Sequence, residues 1–151
     1  MIHPHDSPIV RHLSRVLIPF LQLFAVYVVV HGQYSPGGGF VGGVVFGTSL
    51  ILGLLAFGTG QGQGQGLAHT VAFRWEGVGL LLLAGVGTLC LIGGAEFLNY
   101  HALLLPGMEA SARRWTGILL AQIGVGIDVA ATAVAIFFSL SLFNERDDDH
   151  A

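Results

Sequence analysis

Three acidic side chains, within or beside long apolar stretches, could bind or pass a cation. Asp128 lies near the middle of the apolar run 115–143, whereas Glu76 and Glu96 lie at the two ends of the run 77–98. A carboxyl group at the centre of a bilayer costs about 2.5 to 3.5 kcal/mol on insertion scales, so it commonly marks an ion or proton route. The three carboxyls are therefore candidates for the lining of an ion path.

The same residues also have a structural interpretation. Asp128 shares a helical face with small residues such as Gly124 and Ala131, so it can face a neighbouring helix and hold it by a hydrogen bond. No Lys, Arg or His lies at the depth of Asp128, which favours this structural interpretation. Glu76 and Glu96 lie near the membrane interfaces, so each can also be interpreted as a charged side chain in contact with water at the end of a span.

Other chemistry is excluded by spacing. The glycine strings at 36–43 and 60–66 lack the G-x-G-x-x-G pattern that holds a dinucleotide phosphate. His31, His69 and His101 lie at span ends without the i, i+4 spacing of metal ligands. The chain has no Gly-x-Ser-x-Gly motif, and its single cysteine, Cys90, lies in an apolar run, as expected of an inert buried thiol. The sequence predicts no enzyme, no metal site and no cofactor.

Composition places most of the chain in lipid. Of its 151 residues, 53% are hydrophobic and only 10% are charged, against about 25% charged in a soluble domain. Four apolar runs approach the length of about 20 residues that a helix needs to cross the hydrocarbon core. They occupy residues 13–30, 40–57, 77–98 and 115–143. The sequence therefore predicts one all-α membrane domain over 1–151, with four transmembrane helices and an acidic, solvated tail at 144–151.

The links between the runs complete the predicted topology. A short turn at 31–39 makes the first two spans an antiparallel hairpin. The Gly-Gln tract at 58–66, between the second and third spans, is predicted to be a flexible linker. Between the third and fourth spans, residues 103–106 are predicted to form a short interfacial segment. The first run is too long for a signal peptide, so it is expected to be retained. An excess of arginine on the side of the termini predicts that both termini are cytoplasmic. These arginines are Arg11, Arg15, Arg74 and Arg146, against Arg113 and Arg114. The net charge of −3 argues against a nucleic-acid partner.

A glycine-rich motif joins the first two spans. It consists of Pro36, Gly37, Gly38, Gly39, Phe40, Gly42, Gly43 and Gly47. Gly39, Gly43 and Gly47 recur every four residues and so share a helix face. Small residues at this spacing let two backbones approach closely, which drives helix association in lipid. The motif is thus predicted to pack helices, either against this chain's own helices or against another subunit.

The string HGQYSPGGGFVGGVVFGTSLILGLLAFG, at 31–58, resembles the defining motif of the MnhB family, the B subunits of Mrp-type multisubunit Na+/H+ antiporters. GGAEFL at 93–98, LLPG at 104–107 and IGVGIDVAATAVAI at 123–136 are similar to further features of that family. The resemblance covers roughly residues 13–143. It implies a four-helix protein of the prokaryotic cell membrane that assembles with large antiporter-like subunits and several small ones.

The resemblance implies that the chain is an accessory subunit of a complex that exchanges H+ for Na+. The first hypothesis is that it helps to build the complex and lines an ion path near Asp128. Two alternatives stay open from the sequence: the same module in a redox-driven ion pump such as a membrane-bound hydrogenase, and a purely structural membrane scaffold. The family often carries an acidic residue at the position of Gln122. Because glutamine cannot titrate, the sequence leaves open whether Asp128 substitutes for that acid.

Overall fold

A computed structural model of the protein describes residues 8–34, 36–57, 63–94, 96–100 and 109–148. In these ranges the chain forms four helices: α1 (Pro8–His31), α2 (Gly38–Phe57), α3 (Gln63–Ile92) and α4 (Ala110–Asp148). Each contains a segment long and apolar enough to cross a membrane. These segments are Pro8–His31, Gly38–Phe57, Thr70–Ile92 and Ala110–Ser141. The all-α architecture with four spans, predicted from composition, is confirmed.

The connection between α1 and α2 is a glycine turn. After α1 ends at His31, the Tyr34 N–H donates to the His31 carbonyl at 2.9 Å. Gly37 and Gly38 then adopt φ angles of 143° and 68°, a region that favours glycine because it has no Cβ. The chain can therefore reverse within a few residues, and α2 begins at Gly38, slightly before its predicted start at Phe40.

The ends of α3 differ from the predicted span 77–98. The helix begins at Gln63, so the second half of the Gly-Gln tract is helical rather than a linker, while 58–62 lies outside the described residues. Glutamine has a good helix propensity, and an existing helix extends at little cost. At the other end the helix stops at Ile92, because Gly94 takes a left-handed φ of 79° and its N–H donates to the Leu91 carbonyl at 3.0 Å. Glu96 therefore follows the helix.

The fourth helix is the longest element. Its 39 residues would extend about 58 Å, well beyond a hydrocarbon core of about 30 Å. It begins before the predicted start at 115 and continues through Asp148, so most of the predicted solvated tail at 144–151 is a continuation of the helix. The predicted interfacial segment at 103–106 lies outside the described residues.

The fourth helix also organises the bundle. In the described part of the chain α4 contacts each of the other helices, α2 packs between α1 and α4, and α3 packs on α4 alone. The order across the bundle is thus α1, α2, α4, α3. Most buried apolar positions are alanines: Ala25, Ala56, Ala72, Ala121, Ala130, Ala131 and Ala135. Large side chains such as Leu23 and Leu81 point outward, since in lipid close backbone packing rather than apolar burial holds helices together.

Candidate functional site

The glycine face of α2 packs on α4. A Cβ atom built on Gly43 would lie 2.6 Å from the Gly126 carbonyl oxygen, closer than real Cβ atoms approach, and one on Gly47 would lie 3.1 Å from the Ala130 Cα. Gly39 makes the same kind of contact with the Gln122 carbonyl. Each step of four residues along α2 is matched by a step of four along α4, so the two helices run parallel with their small-residue faces in register.

The remaining motif residues face elsewhere. Gly42 packs on α1, where its Cβ would meet Val29 and lie 2.9 Å from the Ala25 carbonyl oxygen. Phe40 is 62% exposed and points away from the bundle. The motif therefore joins two helices of its own chain to α2 at once. The sequence alone left the partner of this face undetermined.

Gln122 connects α4 to the turn between α1 and α2. Its side-chain amide contacts Gly32, and its amide carbon would lie 3.5 Å from a Cβ on Gly38. The Gln122 Oε1 atom is buried and has no hydrogen-bond partner. From the turn, the Gln33 Nε2 donates to the Trp115 carbonyl of α4 at 3.3 Å. The turn is thus fixed to α4 by side chains from both sides. Sequence reasoning missed these contacts. The available signal was that Gln122 precedes Gly126 by one helical turn, so that the two residues share a face of α4.

Asp128 lies where α3 and α4 come closest. A Cβ on Gly79 would lie 2.5 Å from the Asp128 backbone nitrogen and 2.7 Å from the Gly124 carbonyl oxygen. In the reverse direction, a Cβ on Gly124 would lie 3.0 Å from the Gly79 carbonyl oxygen. Glycines on both helices therefore let the backbones touch. Asp128 is half-buried in this contact.

Glu76 borders the same contact. Ala72 and Gly79 are both buried on the side of α3 that faces α4, and the half-buried Glu76 falls between them at helical spacing. Gly79 follows Glu76 by three residues, a rise of about 4.5 Å. Glu76 and Asp128 are thus about one helical turn apart along one interface. Glu96 is exposed beyond the far end of α3, so the structure brings two of the three predicted acidic residues together and separates the third.

The segment after α3 folds back onto the bundle. The Phe97 ring packs directly on Gly87, and Leu98 has a positive φ of 62°. A Cβ on Gly117 of α4 would lie 2.6 Å from Tyr100, and Tyr100 packs on a buried cluster that contains the fully buried Cys90. Burial raises the pKa of the Tyr100 hydroxyl above its ordinary value. This cluster closes the α3–α4 contact at the end opposite Glu76.

Known proteins are similar to this chain over most of its length. A family model described as a domain related to the MnhB subunit of Na+/H+ antiporter matches residues 9–135. A Na+/H+ antiporter B subunit, from Bacillus subtilis strain 168, is 30% identical over 131 residues, which cover 82% of this chain and 90% of the relative. An antiporter subunit named mnhB2, of Staphylococcus aureus strain Newman, is 39% identical over 139 residues, which cover 90% of this chain and 95% of the relative. With these relatives and its four spans, this is a bacterial multi-pass membrane protein, and it belongs to the MnhB family.

Proposed function

We propose that this chain is an accessory membrane subunit of a multisubunit Na+/H+ antiporter, and that its α3–α4 contact lines part of an ion path. The match to the family over 9–135 and the names of its relatives support the subunit role. The position of Glu76 and Asp128 on one interface is the observation that carries the ion-path role. The role is transport within a complex rather than chemical conversion of a substrate.

The two carboxyl groups suit a small hard cation or a proton. Oxygen ligands are those that hard cations prefer. A carboxylate at membrane depth is costly, and taking up a cation or a proton removes its net charge and so lowers that cost. Asp128 and Glu76 could therefore hold H+ or Na+ at two depths along one helix pair, within the half of the membrane nearer the start of α3.

Other subunits must supply the rest of the path. Beyond Gly79 the α4-facing side of α3 continues with Val86 and Cys90, which are buried, and offers no charged side chain within the described α3. The polar part of the interface is thus confined to one end of the bundle. This asymmetry favours a chain that contributes to a route rather than one that forms a complete route.

We also propose that both termini lie in the cytoplasm of a prokaryotic cell. Arg11, Arg15 and Arg74 lie on the membrane face where α1 begins, and Arg113 and Arg114 lie on the opposite face. Arg146 adds a fourth arginine to the first face by its place in the sequence. Such an excess of basic residues marks the cytoplasmic side of membrane proteins.

The test uses the intact complex, purified by a tag on this chain in mild detergent. Copurification of antiporter subunits is expected, and their absence would overturn the subunit role. An Asp128→Asn variant keeps the size and hydrogen-bonding ability of the side chain but removes its charge. It should assemble normally and lose Na+-dependent H+ exchange in everted vesicles, whereas Asp128→Glu should retain part of it. If Asp128→Asn assembles and still exchanges ions normally, Asp128 is not an ion-path residue.

A further inference from the structure

A large apolar groove lies beside α4. Its volume is about 750 Å3, and all four helices contribute to its walls. In the described part of the chain α3 contacts neither α1 nor α2, so a space remains open between α3 and that pair. The lining side chains are apolar throughout, with Val29, Phe46, Leu50 and Val134 among them. In a bilayer, the material available to fill such a space is another helix or a lipid chain.

The groove is long and narrow. It extends from Gly42 to Leu54 along α2 and from Ile123 to Phe138 along α4, which corresponds to about 18 to 22 Å of helix. This length exceeds the roughly 15 Å of hydrocarbon in one leaflet and stays within the roughly 30 Å of the whole core. A helix of 10 to 12 Å diameter and about 20 Å length would need at least about 1,600 Å3, roughly twice the volume of the groove. The volume therefore suits flexible acyl chains better than a whole helix.

One end of the groove carries groups suited to a lipid head group. Trp75 lines the groove there and is 54% exposed, and tryptophan favours the depth of the head groups. Arg74 precedes Trp75 and is exposed. On the other side, the Arg15 guanidinium lies 6.0 Å from the centre of the Phe57 ring, about one turn beyond Leu54. Arg74 and Arg15 thus lie at the membrane face toward which this end of the groove runs, and arginines at that depth can bind a phosphate.

We propose that this groove is a binding site for an anionic phospholipid. The acyl chains fill the space between α3 and the α1–α2 pair, and the phosphate is bound by Arg74 and Arg15 at the membrane face where α1 begins. The lipid would thereby join α3 to α1 and α2, which have no direct contact with it in the described residues. Filling the groove also restores the dispersion contacts that its apolar walls would otherwise lack.

Tryptophan quenching in vesicles tests this site in the full chain. The sequence has two tryptophans, so a Trp115→Phe variant reports on Trp75 alone, and a Trp75→Phe variant reports on Trp115 near the opposite face. The chain is reconstituted in phosphatidylcholine with a minor fraction of lipid brominated on its acyl chains, which is phosphatidylglycerol in one sample and phosphatidylcholine in the other. At Trp75 we expect phosphatidylglycerol to be favoured about fivefold for each arginine that binds it, since one arginine near a surface contributes roughly that factor. Trp115 follows Arg113 and Arg114 and does not line the groove, so any preference there should be unaffected by Arg74→Gln.

Charge variants separate the head-group contact from general attraction to the surface. Arg74→Gln should lower the preference at Trp75 about fivefold, whereas Arg114→Gln, at the opposite face, should leave it unchanged. Equal quenching by the two lipids at Trp75, or an equal effect of the two arginine variants, would overturn the proposal.

The assembled complex distinguishes the lipid from a helix of another subunit. A photoreactive benzophenone side chain placed at Leu54, at the end of the groove, should form an adduct with the mass of a phospholipid. A cross-link to another subunit in place of that adduct would mean that a protein helix occupies the groove, and the proposal would be wrong.

Discussion

Gly79 of α3 packs directly on the backbone of Asp128 in α4, with 2.5 Å between the Asp128 nitrogen and the place where a Cβ of residue 79 would lie. No side chain larger than hydrogen fits there unless the helices move apart. This contact sets the depth at which α3 crosses α4. Because Glu76 precedes Gly79 by less than one turn, the same contact also sets the position of Glu76 relative to Asp128.

A Gly79→Ala substitution should destabilise the protein. The added methyl group overpacks the α3–α4 contact at a cost of about 1 to 3 kcal/mol. Gly77 is the matched control, because it lies in the same helix and has nothing within 4 Å of its Cβ position. Gly77→Ala should leave stability unchanged or raise it by up to about 1 kcal/mol through helix propensity. Unfolding of both variants in detergent measures the difference, and equal midpoints would contradict the contact.

The α2–α4 contact predicts a similar difference between two glycines of α2. A Cβ on Gly43 would lie 2.6 Å from a backbone oxygen, whereas one on Gly53 would lie 3.5 Å from the end of the Ile18 side chain, an ordinary contact. Gly43→Ala should therefore cost about 1 to 3 kcal/mol, and Gly53→Ala should be tolerated. The free energies of unfolding of the two variants in the same detergent are the measurement. A greater loss at Gly53 would show that the glycine face does not pack on α4.

Replacing Gln122 is expected to raise the stability of the protein rather than lower it. Its buried Oε1 lacks a hydrogen-bond partner, and an unsatisfied buried acceptor costs about 1 to 3 kcal/mol. Gln122→Met replaces it with an apolar side chain of similar length, so the isolated chain should become more stable by up to that amount. Thermal unfolding in detergent measures the change. A clear loss of stability would mean that a bound water or another donor satisfies Oε1.

Two conservative glutamate substitutions should have different effects on transport. Glu76 borders the α3–α4 contact with Asp128, whereas Glu96 is exposed in the turn after α3. In the assembled antiporter, Glu76→Gln should lower Na+-dependent H+ exchange in everted vesicles, and Glu96→Gln should leave it near the wild-type rate. If Glu96→Gln lowers the exchange and Glu76→Gln does not, the ion path passes the far end of α3 instead.

The proposed orientation can be checked by labelling cysteines in whole cells. In a Cys90→Ser background, His12→Cys places a thiol at the start of α1 and Glu109→Cys places one just before α4. With cytoplasmic termini, an impermeant thiol reagent should label the cysteine at 109 and not the one at 12. Labelling of the cysteine at 12 alone would mean that the termini lie outside the cell.

The sequence predicted the fold class because its main signal, long apolar runs, needs no tertiary information. It was less accurate at helix ends. The predicted third span continued to 98 since most of its residues are apolar, but Gly94 ends α3 at Ile92 through a left-handed backbone conformation that hydropathy does not register. The predicted fourth span ended at 143, yet α4 continues through Asp148, because charged residues do not stop a helix that is already formed.

The sequence by itself determined that the chain resides in lipid with four helices and that Gly39, Gly43 and Gly47 share one face, and it predicted that Asp128 lies deep in the membrane. Only the tertiary structure decided that this face meets α4 of the same chain, that Gln122 fills the turn between α1 and α2, and that Glu76 shares an interface with Asp128. Helical periodicity fixes which residues share a face. Which faces meet depends on how closely two backbones can approach, and that is a property of residue pairs far apart in the chain.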